Sequence, residues 1–90
     1  MARLITGEFG EAQAAGPVAS EAYYQLGIQF AAGRDVEQDY VVAHKWFNLA
    51  ALHGDARAKS ERAALAAEMT REQVAEAQRQ AREWVSNKIN

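Results

Sequence analysis

The chain has 90 residues, 49% of them hydrophobic and 24% charged, and its formal net charge is −2. This composition is typical of one folded domain and excludes an intrinsically disordered chain. With 10 basic and 12 acidic residues and no basic block, nucleic-acid binding is not expected. The absence of cysteine excludes disulfides, thiolate metal sites and thiol nucleophiles. No stretch is apolar enough for direct membrane insertion, so a cytoplasmic location is expected.

The chain opens with a segment of weak structural preference. Residues 1–19 are expected to be weakly structured or to bind a partner, with at best a short helix over residues 8–15. Three apolar side chains in this segment could fold against the first helix or insert into a partner: Leu4, Ile5 and Phe9. Ser20 is the expected N-cap of a first full helix over residues 21–32, because its hydroxyl can accept from a first-turn amide. Gly33 supplies the left-handed residue that ends this helix.

A second helix is predicted over residues 40–52. Asp39 is its expected N-cap, and the helix ends at His53 and Gly54. Apolar residues at helical spacing predict a core between the first two helices, formed by Leu26, Phe30, Trp46 and Leu49.

The middle of the first helix contains a glycine, which weakens a helix unless packing requires it. We therefore expect Gly27 to mark a close crossing of the first two helices, against Ala43 or Ala50. Phe47 flanks the apolar stripe of the second helix. It is expected to contact a neighbouring hairpin or to remain open to a partner.

Two further helices are predicted in the second half of the chain. Asp55 is the expected N-cap of a third helix that ends near residue 68. Thr70 and Gln73 have the spacing of a capping box, in which each side chain accepts from the other residue's backbone amide. The fourth helix follows from residue 71 to about residue 85, and Trp84 is expected to close it onto the third helix.

An internal repeat and a set of motifs point to a helical-repeat family. Aligning Ala22 with Ala58 places two similar stretches 36 residues apart, close to the roughly 34-residue tetratricopeptide unit. The motifs are a leucine–glycine pair, a glycine-containing turn, a tryptophan and paired alanines: Leu26-Gly27, Gly33-Arg34-Asp35-Val36, Trp46, Ala50-Ala51 and Gly54. Together they resemble one full Sel-one-like repeat, a relative of the tetratricopeptide repeats. Asp35 stands where this family has a second turn glycine, and aspartate tolerates a left-handed backbone better than most residues.

The resemblance implies an all-α fold in which antiparallel helical hairpins stack as a short α-solenoid. One full repeat would cover residues 20–54, a C-terminal capping hairpin residues 55–86, and a frayed tail residues 87–90. Members of this family act as adaptors and scaffolds of protein complexes, often in bacterial signalling or envelope pathways. The expected function is therefore a small adaptor or accessory subunit whose partner is another protein or a multi-subunit complex. The alternative is a direct regulator that inhibits or stabilises a partner enzyme.

The expected binding surface combines residues of the first and third helices with the N-terminal apolar residues. Its members are Tyr23, Gln25, Gln29, Phe47, Arg57, Lys59, Glu61, Leu4, Ile5 and Phe9. The first three are expected on the side of the first helix that faces the concave surface of such solenoids, and the third-helix residues would extend this groove.

No group of residues in the sequence indicates catalysis or a cofactor. His44 and His53 are nine residues apart, which places them on opposite faces of one helix, so a shared metal ion is not expected. Glu76, Arg79 and Glu83 are better explained as a solvated helix face with weak ion pairs than as acid–base groups. We therefore expect no enzyme activity, no metal and no small-molecule substrate.

Overall fold

A computed structural model describes residues 17–89 of the chain. Four α-helices occupy this range: α1 (Pro17–Ala32), α2 (Tyr40–Leu52), α3 (Ala56–Ala66) and α4 (Arg71–Ile89). The described part of the chain contains no strand, which confirms the predicted all-α class. The predicted short helix over residues 8–15 and the apolar residues Leu4, Ile5 and Phe9 lie outside the described residues.

The helix α2 is central and packs against each of the other three helices. It runs antiparallel to α1, because the Tyr23 ring near the start of α1 lies 5.5 Å from the His53 ring at the end of α2. At the opposite end, the amide of Asp39 donates to the carbonyl of Phe30 at 3.0 Å. The connection between these helices is short, so neighbouring elements along the chain are also neighbours in space.

The fourth helix packs on α2, and the prediction that Trp84 closes it onto the third helix is wrong. The indole of Trp84 meets that of Trp46 edge to face, with ring centroids 5.0 Å apart. The small residues Ala77 and Ala81 are buried, which allows close approach of α4. An edge-to-face indole pair combines large apolar burial with favourable ring electrostatics, which α3, rich in alanine, does not offer.

The core lies where α2 meets α1 and α3. Its buried members are Ala43, Phe47, Ala50, Ala58 and Leu65. Phe47 is 1% exposed and its ring lies against Gly27 and Tyr24 of α1, so its assignment to the partner-binding residues is wrong. Of the predicted core residues, Leu49 is buried, whereas Leu26, Phe30 and Trp46 are half-buried.

The predicted close crossing at Gly27 is present, but its partner is the Phe47 ring and not Ala43 or Ala50. A Cβ atom added to Gly27 would lie 2.5 Å from both Cδ1 and Cε1 of Phe47. Real side chains do not approach each other so closely, so glycine is required for the ring to lie against α1.

Most helix ends agree with the predictions. The carboxylate of Asp39 accepts from the Val42 amide at 3.1 Å, and that of Asp55 from the Arg57 amide at 3.0 Å. The sequence predicts a left-handed backbone at two turn residues, and both adopt it: φ is 73° at Gly33 and 63° at Asp35.

Two helix ends differ from the predictions. In the described residues α1 is already helical at Pro17, so Ser20 lies inside the helix and is not its N-cap. Proline is favoured in a first helical turn because its missing amide would have no intrahelical acceptor there. At the other end, α4 continues to Ile89, beyond its predicted end near residue 85.

The predicted capping box at the start of α4 is present. The Thr70 amide donates to Oε1 of Gln73 at 2.9 Å, and the Gln73 amide donates to Oγ1 of Thr70 at 3.0 Å. We expect Thr70→Ala to lower the free energy of unfolding by about 1 kcal/mol, because it leaves a first-turn amide without its acceptor. Urea unfolding followed by circular dichroism measures this loss. Thr70→Ser keeps the hydroxyl and is the matched control; an equal loss in both variants would rule out the cap as the cause.

None of the four described helices combines the length and the apolar character needed to cross a lipid bilayer.

Candidate functional site

An open groove lies between α2 and α4 and has a volume of about 450 Å³. We call it the α2–α4 groove and define it by its lining residues: Asn48, Leu49 and Leu52 from α2, and Ala81, Arg82, Val85 and Ser86 from α4. The walls consist of residue pairs four apart in each helix, so both walls present ridges that follow the helix surface.

The α2–α4 groove is mainly apolar, with Asn48, Arg82 and Ser86 as its polar lining residues. Leu49 is buried beneath it, Val85 is half-buried in its wall, and Leu52 is 67% exposed at its edge. Among residues 18–88, only Leu52 and Val18 are large hydrophobic residues with exposed side chains. Leu52 therefore adds solvent-facing apolar area to a concave surface, which is the arrangement typical of binding grooves.

The charge around the groove is positive. Arg82 lines it and forms no ion pair with any residue in the described range. On the other side, Arg62 of α3 donates to Oδ1 of Asn48, which brings a second guanidinium to the groove wall. No carboxylate is among the lining residues.

The nearest carboxylates of α4 are already paired. Arg79 contacts Glu76 and Glu83, each at 2.6 Å, as predicted for this solvated helix face. Hydrogen bonds from Arg79, and then from Gln80, lower the pKa of Glu76 to about 2. Glu76 and Glu83 are thus both engaged by Arg79, and neither of them pairs with Arg82.

An aromatic cluster of Tyr23, Trp46 and Trp84 joins α1, α2 and α4. The Tyr23 ring stacks on Trp46 with centroids 5.5 Å apart and lies 6.4 Å from Trp84. The ammonium group of Lys45 lies 4.4 Å from the Trp46 ring centroid, and burial lowers the pKa of this lysine. Tyr23, predicted to face a partner, is therefore half-buried in contacts that hold three helices together.

Two of the other predicted binding residues meet at the junction of α1 and α3. Arg57 donates to Glu21 at 2.5 Å and to Asp55 at 2.7 Å, and its guanidinium lies 3.9 Å from the Tyr24 ring centroid. Gln25 donates to the same Glu21 at 2.9 Å. Hydrogen bonds from Gln25, and then from Arg57, lower the pKa of Glu21.

The predicted binding residues do not form one continuous groove. Tyr23 and Gln25 are two positions apart, about 200° around a helix, and they contact different neighbours. Gln29 and Glu61 are half-buried and Lys59 is exposed. Leu4, Ile5 and Phe9 lie outside the described residues. The structure brings Gln25 and Arg57 together through Glu21, while Tyr23 belongs to the aromatic cluster.

Sequence reasoning missed the residues that line the α2–α4 groove. From the sequence, Leu52 is only the last residue of the predicted second helix, and nothing assigns Arg82 to a binding surface. A signal was present in the spacing, because Ala81 and Val85 are four apart and therefore share one apolar face of the fourth helix. The groove could not be inferred from it without knowing that α4 packs on α2.

The two histidines occupy different environments. His44 is 2% exposed, and its Nδ1 atom has no hydrogen-bond partner in the described structure. His53 is exposed at the end of α2, where its backbone amide donates to the carbonyls of Leu49 and Ala50. Within residues 17–89 there is no group of three or more histidine, aspartate or glutamate side chains that could hold a metal ion.

The buried imidazole of His44 makes the stability of the fold depend on pH. Burial, and then the positive charge of Arg62, lower its pKa from 6.5. Below about pH 6.5 the unfolded chain therefore binds more protons than the folded one, and the free energy of unfolding falls as the pH drops. Above that pH this contribution is fully retained. Urea unfolding at about pH 7.5 and about pH 5.5 measures the difference.

The matched variants for this prediction are His44→Leu and His53→Gln. His44→Leu is expected to remove the pH dependence, because the group that titrates is gone, whereas His53→Gln is expected to keep it. If His44→Leu retained the same difference between the two pH values, another group would be responsible.

No family model, curated protein or solved structure matches this chain at a significant level. The resemblance to the Sel-one-like repeats rests on the sequence motifs alone.

Proposed function

We propose that this chain is a protein-binding module of the Sel-one-like type, a small adaptor or accessory subunit that binds its partner through the α2–α4 groove. The observation that carries the proposal is the open apolar groove with Leu52 exposed at its edge. Exposed apolar area on a concave surface is costly in water and is a common feature of protein interfaces. Grooves between two helices accept the apolar face of a third helix.

The assignment to a helical-repeat type is supported by the turn between α1 and α2. Gly33 and Asp35 both have positive φ at the two positions where the Sel-one-like pattern has glycines. The close contact between Gly27 and Phe47 supplies a packing reason for the leucine–glycine motif. A short α-solenoid that presents a groove for a partner is the arrangement we propose from these features.

The proposal is tested by affinity purification from lysate of the source cells, followed by mass spectrometry. The bait is the wild-type chain, Leu52→Asp or Val18→Asp. Both substitutions place a charge at an exposed apolar position, so both variants should fold, as circular dichroism can verify. Because only Leu52 lies in the groove, a true partner should be captured by the wild type and by Val18→Asp and be lost with Leu52→Asp.

Equal capture of the same partner by Leu52→Asp would contradict the assignment of the groove. Capture of no specific protein by the folded wild type would contradict a stable-subunit role. Where a captured partner is an enzyme, adding the purified chain separates the two roles that the sequence left open. A changed reaction rate indicates a regulator, and an unchanged rate indicates an adaptor.

A further inference from the structure

We infer that the occupant of the α2–α4 groove is an amphipathic helix whose apolar face is flanked by a carboxylate that pairs with Arg82. This inference rests on the proposed function and specifies the chemistry of the partner. It has two parts, the helical form of the occupant and the sign of its charge.

The helical form of the occupant follows from the walls of the α2–α4 groove. Asn48 and Leu52 are four apart in α2, and Ala81 and Val85 are four apart in α4. Rows of side chains at this spacing are the ridges between which another helix inserts its own ridge. The groove offers no sheet edge to which an extended peptide could add as a strand, because the helices α2 and α4 use their backbone groups internally. The groove therefore fits a helix with leucine-like residues three or four positions apart.

The negative charge of the occupant follows from the charged residues that surround the α2–α4 groove. Arg82 is in its lining without an ion pair in the described range, and Arg62 reaches its wall through Asn48. The nearby carboxylates Glu76 and Glu83 are held by Arg79. The net charge of the whole chain is −2, so attraction of an acidic partner would arise from this local arrangement and not from the overall charge.

The basic residues of the aromatic cluster are less suited to this role. Lys45 and Lys88 both lie within 5.5 Å of the Trp84 ring centroid, where the indole already stabilises their charge. Arg82 has no such contact with any described ring, and it lies beside the apolar surface that a partner helix would cover. A carboxylate brought to Arg82 would also be partly shielded from water, which strengthens the pair.

The test uses two synthetic helical peptides as probes. They share leucines at positions i, i+4, i+7 and i+11 and differ only in the flanking residues, which are glutamate in one and lysine in the other. Fluorescence anisotropy with the full chain gives the Kd of each. We expect the wild type to bind the glutamate peptide roughly five- to tenfold more tightly than the lysine peptide. A difference of this size corresponds to one ion pair with Arg82 in the first complex and one like-charge repulsion in the second.

Two charge-reversal variants separate the local charge from general effects. Arg82→Glu should reverse the preference between the peptides. Arg71→Glu makes the same change at an exposed position at the start of α4, outside the groove, and should leave the preference unchanged. Equal binding of the two peptides by the wild type, or the same preference in Arg82→Glu, would overturn the inference about charge.

Failure of the inference can be told apart from failure of the proposed function. If Leu52→Asp abolishes binding of both peptides but charge has no effect, the groove binds apolar helices and only the inference fails. If neither peptide binds the wild type, the inference fails as well. The proposed function is then still decided separately, by whether the capture of a partner from lysate depends on Leu52. A wild-type dimer in sedimentation velocity that Leu52→Asp dissociates would assign the groove to a second copy of the chain and overturn the inference.

Discussion

Replacing Gly27 with leucine is expected to lower the free energy of unfolding by up to about 2 kcal/mol, the upper end of overpacking costs less the gain in helix propensity. Helix propensity alone would favour leucine over glycine by about 1 kcal/mol. Packing therefore decides whether the substitution stabilises or destabilises the protein. A Cβ atom at this position would lie 2.5 Å from two carbons of the Phe47 ring. Because Phe47 is buried and cannot turn toward solvent, α1 and α2 would have to separate, and overpacking of this kind costs about 1–3 kcal/mol, occasionally more. The clash outweighs the gain in helix propensity.

The measurement is the shift in urea midpoint for Gly27→Ala, Gly27→Leu and the control Ala22→Leu. Ala22 is exposed on the same helix, so its replacement should change stability by no more than about 0.5 kcal/mol. We expect Gly27→Ala to be destabilising too, although alanine is the better helix former. A stabilised Gly27→Ala, or an unchanged midpoint in Gly27→Leu, would show that the two helices do not touch there.

Phe47→Ala is expected to have the largest effect of any single substitution, a loss of about 3–5 kcal/mol. The ring is 1% exposed and belongs to the cluster that joins α2 to α3, while also covering Gly27 of α1. Its removal leaves a cavity where three helices meet. Small domains are stable by only about 5–15 kcal/mol, so this variant should unfold at a much lower temperature than the wild type.

Calorimetry of Phe47→Ala beside Leu52→Ala measures the contrast between a buried and an exposed apolar side chain. Leu52→Ala is expected to cost no more than about 0.5 kcal/mol, since the side chain is mostly in water. A double variant, Gly27→Leu with Phe47→Ala, should lose less than the sum of the single losses, because the cavity accommodates the leucine. Additive losses, or a mild effect of Phe47→Ala, would contradict the position assigned to this ring.

The features that could be predicted from the sequence are those determined by residues close together in the chain. Asp39, Asp55 and the pair Thr70 and Gln73 cap their helices as expected, because a cap needs only a short polar side chain within three residues of a free amide. The left-handed residue Asp35 could also be anticipated from its place in the turn.

The choice between Trp46 and Phe47 could not be made from the sequence. Apolar residues surround most of α2, so the pattern does not identify which side of the helix faces the core. Adjacent residues point about 100° apart, and here the smaller ring is buried beside Gly27 while the indole packs at the edge with Trp84. The start of α1 could not be predicted for a related reason: Pro17 and Ser20 are both residue types typical of a helix start, and the sequence does not decide between them.

The candidate site depends on a long-range contact, which local patterns do not encode. Trp84 packs against Trp46, 38 positions earlier in the chain. This contact places Val85 and Arg82 beside Leu52. Nothing near Leu52 in the sequence indicates that it lies at the edge of a groove. The kind of module stays a prediction from the motifs, whereas the proposed binding surface emerged only from the packing of α4.

Site-specific photo-crosslinking tests the role of the groove most directly. A photoreactive phenylalanine analogue is introduced in place of Leu52 in one variant and of Val18 in another, and cells that express each chain are irradiated. We predict a defined protein adduct at residue 52 and none at residue 18, since only the first position lines the α2–α4 groove. Adducts of the same partner at both positions, or only at residue 18, would contradict the assignment of this groove as the binding surface.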